Sequence, residues 1–103
     1  MKYECWKFIS EFSNLYLISN TGRIITLHKK TFLKELKPYR NKQRGYRYIR
    51  LQDYSSRKNL SFARLVAHYF IPNPNKYPEI NHKDGNKIND VADNLEWVTR
   101  SQN

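Results

Sequence analysis

The pattern of apolar positions in the first quarter of the chain predicts an antiparallel sheet. Residues 6–9, 15–18 and 23–27 are short aromatic and β-branched runs. The second and third runs are separated by Ser-Asn-Thr-Gly at 19–22, a sequence whose residues favour a tight turn. We therefore expect residues 1–27 to be rich in β-structure.

The middle of the chain predicts a strand and then a helix. Residues 45–52 alternate in the manner of a strand, with Arg47, Ile49 and Leu51 on one face. Residues 60–70 carry apolar side chains at helical spacing instead, which predicts a short amphipathic helix packed under the sheet.

The last part of the chain predicts two strands joined by a polar loop. A short run ends at His82, residues 83–86 have the composition of a turn, and 95–99 alternate as a second strand. Thr99 or Ser101 would then cap a helix, of which the chain contains only the first turn. Helix nucleation is costly, so a stub of this length is not stable alone.

Net charge is the feature of the composition that indicates a binding partner. The 103 residues suffice for one domain or two small modules. Their net charge of +10 comes from 19 Lys and Arg against 9 Asp and Glu. Such an excess favours a polyanionic partner, usually nucleic acid, although a soluble basic surface remains an alternative.

Cysteine usage and hydropathy exclude other classes. Cys5 is the only cysteine, so an intramolecular disulfide and a cysteine-rich zinc site are both excluded. The sequence has neither a membrane-spanning apolar stretch nor a signal-peptide pattern. We therefore expect a cytoplasmic protein without a membrane partner.

The basic residues are concentrated between Lys29 and Arg50, where tyrosines are interleaved with them. A ribbon of this kind can place Lys and Arg on DNA phosphates and one or two Arg on base edges. The alternative is a solvated basic face whose tyrosines pack inward. The candidate DNA contacts here and after His82 are Lys37, Arg40, Lys42, Arg44, Arg47, Arg50, Lys83 and Lys87.

His82 and its polar neighbours are the candidate chemical centre. An imidazole at a strand end can take a proton from water near neutral pH. The Asn and Asp side chains around it offer oxygen ligands, which suit Mg²⁺ or Mn²⁺ better than zinc.

The segment from Asn81 to Thr99 resembles the HNH endonuclease motif of phage homing endonucleases. It runs Asn-His-Lys-Asp-Gly-Asn-Lys-x-Asn-Asp-x-x-x-Asn-Leu-Glu-Trp-Val-Thr. The pattern Trp-Lys-x-Ile followed by Tyr-x-x-Ser-Asn-x-Gly-Arg-Ile resembles the small β module that often precedes this motif. The resemblance implies an α+β fold, with a β-rich DNA-binding module at 1–60 and a ββα-metal core at 61–103 whose final helix is truncated.

The resemblance also implies roles for residues of the motif. His82 corresponds to the general base, and Asn94 to the residue that orients it. Asn94 could equally close the loop by bonding to backbone. Asp84 and Asp90 are expected to be turn residues, although a carboxylate so close to the site could hold a metal-bound water.

Two asparagines correspond to the ligands of a single divalent ion, Mg²⁺ or Mn²⁺. These are Asn81 at the strand end and Asn103 on the expected helix. A neutral carbonyl binds Mg²⁺ more weakly than a carboxylate does, so Asn81 implies a weaker site. The alternative is that Asn81 only caps the strand.

The implied activity is metal-assisted hydrolysis of double-stranded DNA that leaves a 5′ phosphate and a 3′ hydroxyl. With one site per chain, a monomer would nick one strand and a homodimer could cut both. One alternative is a nonenzymatic DNA-binding protein with a degenerate, truncated core. Another is a regulator that binds an acidic protein through its basic face.

Overall fold

The first sheet is built from the short runs near the N-terminus. A computed structural model describes residues 3–28 and 33–103. The sheet contains β1 (Trp6–Phe8), β2 (Tyr16–Ser19), β3 (Ile24–Thr26) and β4 (Lys34–Leu36). Neighbours in that order pair antiparallel, which confirms the predicted β-rich start.

The second sheet contains the basic segment. Its strands are β5 (Tyr39–Arg40), β6 (Arg47–Gln52) and β7 (Arg57–Ser61), all antiparallel. Along β6, Ile49 and Leu51 are buried and Arg50 is exposed, so the predicted alternation is confirmed. Arg47 therefore starts on the inner face of the strand. Lys29 and Lys30 lie outside the described residues.

The helix predicted over residues 60–70 is α1 (Phe62–Phe70), and residues 60 and 61 belong to β7 instead. Ser61 caps it, because its Oγ accepts a hydrogen bond from the Arg64 amide at 3.3 Å. The apolar face, which includes Phe62 and Val66, is fully buried. The helix therefore packs between the basic sheet and the last two strands.

The last two strands are β8 (Glu79–His82) and β9 (Leu95–Val98), which pair antiparallel with His82 opposite Leu95. After β9, the Thr99 Oγ1 accepts from the Gln102 amide and the Gln102 Oε1 accepts from the Thr99 amide. This reciprocal pair is a capping box, the signature of a helix start. The α+β architecture is as predicted, and residues 100–102 after β9 form a turn.

A hydrophobic cluster joins the two halves of the chain. It contains Ile18 and Ile24 from the first sheet, Leu51 from the second, Val66 from α1 and Leu95 from β9. Because this cluster crosses residue 60, the described residues share core packing across the proposed module boundary. The division at 60 stays a prediction. Within the described ranges, no helix is long and apolar enough to cross a bilayer.

Candidate active site

His82 is held at the end of β8 by a buried carboxylate. Its Nε2 lies 2.7 Å from Asp90 Oδ1, and the Asp90 Oδ2 lies 2.9 Å from the Nε of Arg47. The side chain of Asp90 is 0% exposed and that of His82 is 6% exposed. The expectation that Asp90 is a turn residue was therefore wrong, because its carboxylate is buried between two side chains.

This contact determines which nitrogen of His82 keeps a free lone pair. A carboxylate only accepts hydrogen bonds, so Nε2 carries the proton and Nδ1 is left with a lone pair. In the described part of the chain, every buried side-chain nitrogen and oxygen has a partner. Nδ1 makes no such bond there, so it reaches solvent. The ring of Tyr46 stacks on the imidazole at a centroid distance of 5.8 Å.

Asn94 closes the loop between the two strands. Its Oδ1 accepts from the Asp84 amide at 3.1 Å, and its Nδ2 donates to Asp84 Oδ1 and to the Asn89 carbonyl, each at 2.9 Å. The predicted contact with the His82 ring is not formed, because Asp90 occupies that position. The loop-closing alternative for Asn94 is the arrangement that the structure has.

The same loop keeps the Asp84 carboxylate in its ionised form. The side chain of Asn89, the backbone amide of Asn86 and the side chain of Asn94 all donate hydrogen bonds to it. These bonds lower the pKa of Asp84 below its ordinary value, the bond from Asn89 contributing most. Asp84 is thus the turn residue that was expected, with its carboxylate committed to the loop.

Truncating Asn94 tests the loop directly. Asn94→Ala removes the hydrogen bonds of both Oδ1 and Nδ2. We therefore expect the free energy of unfolding to fall by about 1–3 kcal/mol. Urea denaturation measures the change. Asn75→Ala, at an exposed loop position, is the matched control and should stay within about 0.5 kcal/mol of wild type. Equal stability of both variants would contradict this role.

A cavity of about 360 Å³ opens beside His82. Its lining includes Asn103, whose Nδ2 donates to the Ile80 carbonyl at 3.5 Å, and the carboxylate-bearing Glu79. Arg44 and Arg64 also lie on its wall, and both are exposed cations. The structure therefore brings His82 and Asn103 to one cavity.

Asn81 is the site residue that the structure does not bring to this cavity. It lies within β8 opposite Glu96. It is not among the described residues that line the cavity. Successive residues of a strand point to opposite faces, so Asn81 and His82 diverge. The ligand role of Asn81 stays a prediction.

The candidate DNA contacts fall into two groups. One group consists of residues exposed to solvent: Lys37, Arg40, Lys42, Arg44, Arg50, Lys83 and Lys87. Arg47 is different, since its side chain is 23% exposed and bonded to Asp90. Its assignment as a DNA contact is corrected, because it points from the inner face of β6 into the protein.

Lys87 connects the loop after His82 to the basic sheet. Its Nζ donates to the Arg44 carbonyl at 3.0 Å and lies 4.9 Å from the centre of the Tyr46 ring. A positive charge is thereby fixed on the ring that covers His82. Exposed cations of the two halves of the chain thus meet at the edge of the cavity.

Asp90 and Tyr46 are the site residues that the sequence interpretation missed. Arg47 lies 43 residues from Asp90. Tyr46 is similarly distant from His82, so no local spacing marks these two contacts. The available signal was Arg47, which the alternation of residues 45–52 placed among apolar side chains. A charged residue on a buried face requires a partner of opposite charge.

Comparison with known families decides which kind of site this is. A model of the NUMOD4 motif matches residues 4–52, and a model described as HNH endonuclease matches residues 64–103. Residues 64–103 are therefore an HNH endonuclease domain, preceded by a NUMOD4 motif. The resemblance predicted from the motif is confirmed, and the NUMOD4 match extends through the whole basic segment from Lys29 to Arg50.

Two similar proteins come from a virus and a phage. An uncharacterised HNH endonuclease of Acanthamoeba polyphaga mimivirus is 41% identical over 98 residues, which are 95% of this chain and 28% of that protein. DNA endonuclease I-HmuI of Bacillus phage SP01 is 35% identical over 98 residues, covering 95% of this chain and 54% of that one. The chain therefore spans about half or less of these relatives.

A solved structure agrees with the sequence relationship. The structure reported as DNA binding and cleavage by the HNH homing endonuclease I-HmuI superposes with a TM-score of 0.82 and 36% sequence identity. The match covers 95% of this chain and 54% of the other. The HNH core and the preceding β-rich segment thus share one arrangement in both proteins.

Proposed function

We propose that this chain hydrolyses phosphodiester bonds of double-stranded DNA, with His82 as the general base. The observation that carries the proposal is the geometry of His82 within an HNH domain. Asp90 holds Nε2 and leaves Nδ1 without a hydrogen bond to any described residue, and His82 lines a cavity that also contains Asn103. A base so held takes a proton from the attacking water, a step that contributes roughly 10²- to 10⁴-fold to rate.

The donors at the cavity fit a weakly held divalent ion. The described residues contain no cluster of three His, Cys, Asp or Glu side chains that could bind a metal. Oxygen donors are present instead, namely the amide of Asn103 and the carboxylate of Glu79. Hard ions such as Mg²⁺ and Mn²⁺ prefer such atoms, and HNH endonucleases are in general dependent on a divalent metal.

We propose Asn103, which lines the cavity, as one ligand of this ion. Asn81 is proposed as a second ligand on the resemblance to the HNH motif alone, since it is not among the described residues that line the cavity. The ion would stabilise charge on the scissile phosphate and the leaving 3′ oxygen. The capping box of Thr99 and Gln102 fixes the turn on which Asn103 lies. Asn103 donates its Nδ2 to the Ile80 carbonyl, so its Oδ1 is the atom available to a cation.

Changing Asn81 to a carboxylate tests its role. If Asn81 is a ligand, Asn81→Asp should lower the Mg²⁺ concentration for half-maximal cleavage, because a carboxylate binds Mg²⁺ more strongly than an amide. A Mg²⁺ titration of cleavage rate measures this. Asn75→Asp adds the same charge at an exposed loop position and should leave the titration unchanged. A coincident titration for Asn81→Asp would exclude Asn81 as a ligand.

The exposed basic side chains support DNA as the substrate. The net charge of +10 is large for a chain of this size, and Arg44 and Lys87 lie at or beside the cavity edge. Cations at this position would contact phosphates next to the scissile bond. Lys83 and Lys87 would also add positive charge near the transition state.

Several further aspects belong to this proposal. Residues 1–60 would bind DNA and residues 61–103 would perform cleavage. A monomer would nick one strand, and a homodimer could cut both. The site of action would be the cytoplasm of a host cell.

A second candidate function is DNA binding without cleavage. The observation that favours it is the donor set, in which both proposed ligands, Asn81 and Asn103, are neutral amides. Such a protein would share the salt-dependent DNA affinity of the enzyme and lack its chemistry. Affinity alone therefore does not separate the two functions.

The chemistry of the product ends tests the proposed reaction. Hydrolysis with a 3′ oxygen leaving group yields a 5′ phosphate and a 3′ hydroxyl, which DNA ligase rejoins. Plasmid nicked by the protein should therefore be resealed by ligase. A nick that resists ligase but is resealed after end repair would contradict this mechanism.

A further inference from the structure

The basis for a further inference is the shared use of the Asp90 carboxylate by two parts of the chain. One oxygen binds the base and the other binds Arg47 at 2.9 Å. Arg47 belongs to β6 in the segment matched by the NUMOD4 motif, and His82 to the HNH core. The two segments therefore meet at one buried carboxylate, 43 residues from its arginine partner along the chain.

Arg47 is itself fixed in place by the core. Its guanidinium carbon lies 5.1 Å from the centre of the ring of Phe62, the first residue of α1. Burying the Asp90 carboxylate is costly unless an opposite charge and hydrogen bonds compensate it. Arg47 provides both, so the position of Asp90 depends on the N-terminal segment.

The backbone around Asp90 is also held by that segment. The Ala92 amide donates to the Asn20 carbonyl at 2.8 Å. A Cβ at Gly22, which has a φ of +82°, would come within 3.4 Å of the Asp90 carbonyl oxygen. The turn between β2 and β3 therefore packs closely on the backbone of Asp90.

We propose that Asp90, held by Arg47, is the positioning residue for the His82 base. It fixes the tautomer with the proton on Nε2 and keeps Nδ1 directed at the cavity. Arg47 acts through Asp90 and makes no DNA contact. This inference rests on the proposed role of His82 as general base, and it makes the HNH core dependent on the preceding segment for a working base.

Asp90→Asn tests the carboxylate with little change of shape. The single-turnover cleavage rate should fall roughly tenfold to a hundredfold, a typical cost of losing a supporting partner. The Kd for DNA, measured in EDTA, should not change. Asp93→Asn alters an exposed carboxylate three residues later and should cleave like wild type. An unchanged rate for Asp90→Asn in an active protein would overturn the proposal.

Arg47→Met separates a positioning role from a phosphate contact. We expect a slower cleavage rate with the same Kd and the same dependence of Kd on salt. A phosphate contact would instead weaken binding and reduce the slope of log K against log salt by about 1. That second result would overturn the proposal. Arg57→Met, on the exposed edge of β7, is the matched control.

The tautomer of His82 can be measured on the wild-type protein without any cleavage. Nitrogen NMR of the neutral imidazole should show the proton on Nε2, and Asp90→Asn should show a mixture of tautomers. A proton on Nδ1 in wild type would overturn the inference even if the variants failed to fold. An Nε2 proton in a protein that binds but does not cut DNA would instead remove the proposed function alone.

Discussion

His82→Ala is expected to reduce metal-dependent DNA cleavage by roughly 10²- to 10⁴-fold, the contribution of a positioned general base. In the proposed reaction Nδ1 of this residue accepts the proton, and His82 lines the cavity together with Asn103. DNA affinity should stay the same, because the ring is almost fully buried and the exposed basic side chains are untouched. A filter-binding assay in EDTA and a single-turnover cleavage assay separate these effects.

Two further variants make the His82 result specific. His82→Gln retains an N–H that can donate to Asp90 and lacks an imidazole, so it should fold and still not cleave. His68→Ala removes a histidine whose side chain is 61% exposed on α1, and it should cleave like wild type. Full activity of His82→Gln would exclude His82 as the base.

Phe62→Ala is expected to have the largest effect on stability, a loss of about 3–5 kcal/mol in the free energy of unfolding. Phe62 is 0% exposed and lies in the cluster that joins both halves of the chain. Its ring also supports the Arg47 guanidinium. Its removal would therefore leave a cavity beneath the arginine that holds Asp90.

Urea denaturation, followed by fluorescence, measures the cost of Phe62→Ala. Tyr54→Ala, at a side chain that is 92% exposed, is the control and should change stability by at most about 0.5 kcal/mol. A loss below about 1 kcal/mol for Phe62→Ala would contradict the view that this cluster supports the site.

Much of the fold follows from local pattern. The alternation of apolar residues determines which face of a strand is buried, and it correctly placed Ile49 and Leu51 inside. Helical spacing likewise identified the buried face of α1. Such features depend on neighbours within a few residues, which a sequence displays directly.

The contacts that hold His82 in place do not follow from local pattern. Asp90 lies in a polar loop whose composition favours turns, and only its pairing with Arg47 explains its burial. The family motif singled out His82, which the structure places at the cavity, and its role as general base stays a prediction. The motif suggested Asn94 as the residue that orients His82. In the structure Asn94 instead forms hydrogen bonds with Asp84, which close the loop between β8 and β9.

The exposed basic residues show the same distinction. The net charge and the clustering of basic residues indicate an anionic partner, and both can be read directly from the sequence. They do not show which arginine faces solvent. Arg50 and Arg47 occupy one strand and point to opposite faces, so one is exposed and the other is bonded to Asp90.

The most direct test of the account is nicking of supercoiled plasmid by the wild-type protein. With Mg²⁺ or Mn²⁺ we expect conversion to the relaxed form, and with EDTA we expect none. The proposed endonuclease activity would be contradicted if folded protein binds the plasmid in both conditions and relaxes it in neither. That result would leave a DNA-binding protein with an HNH fold.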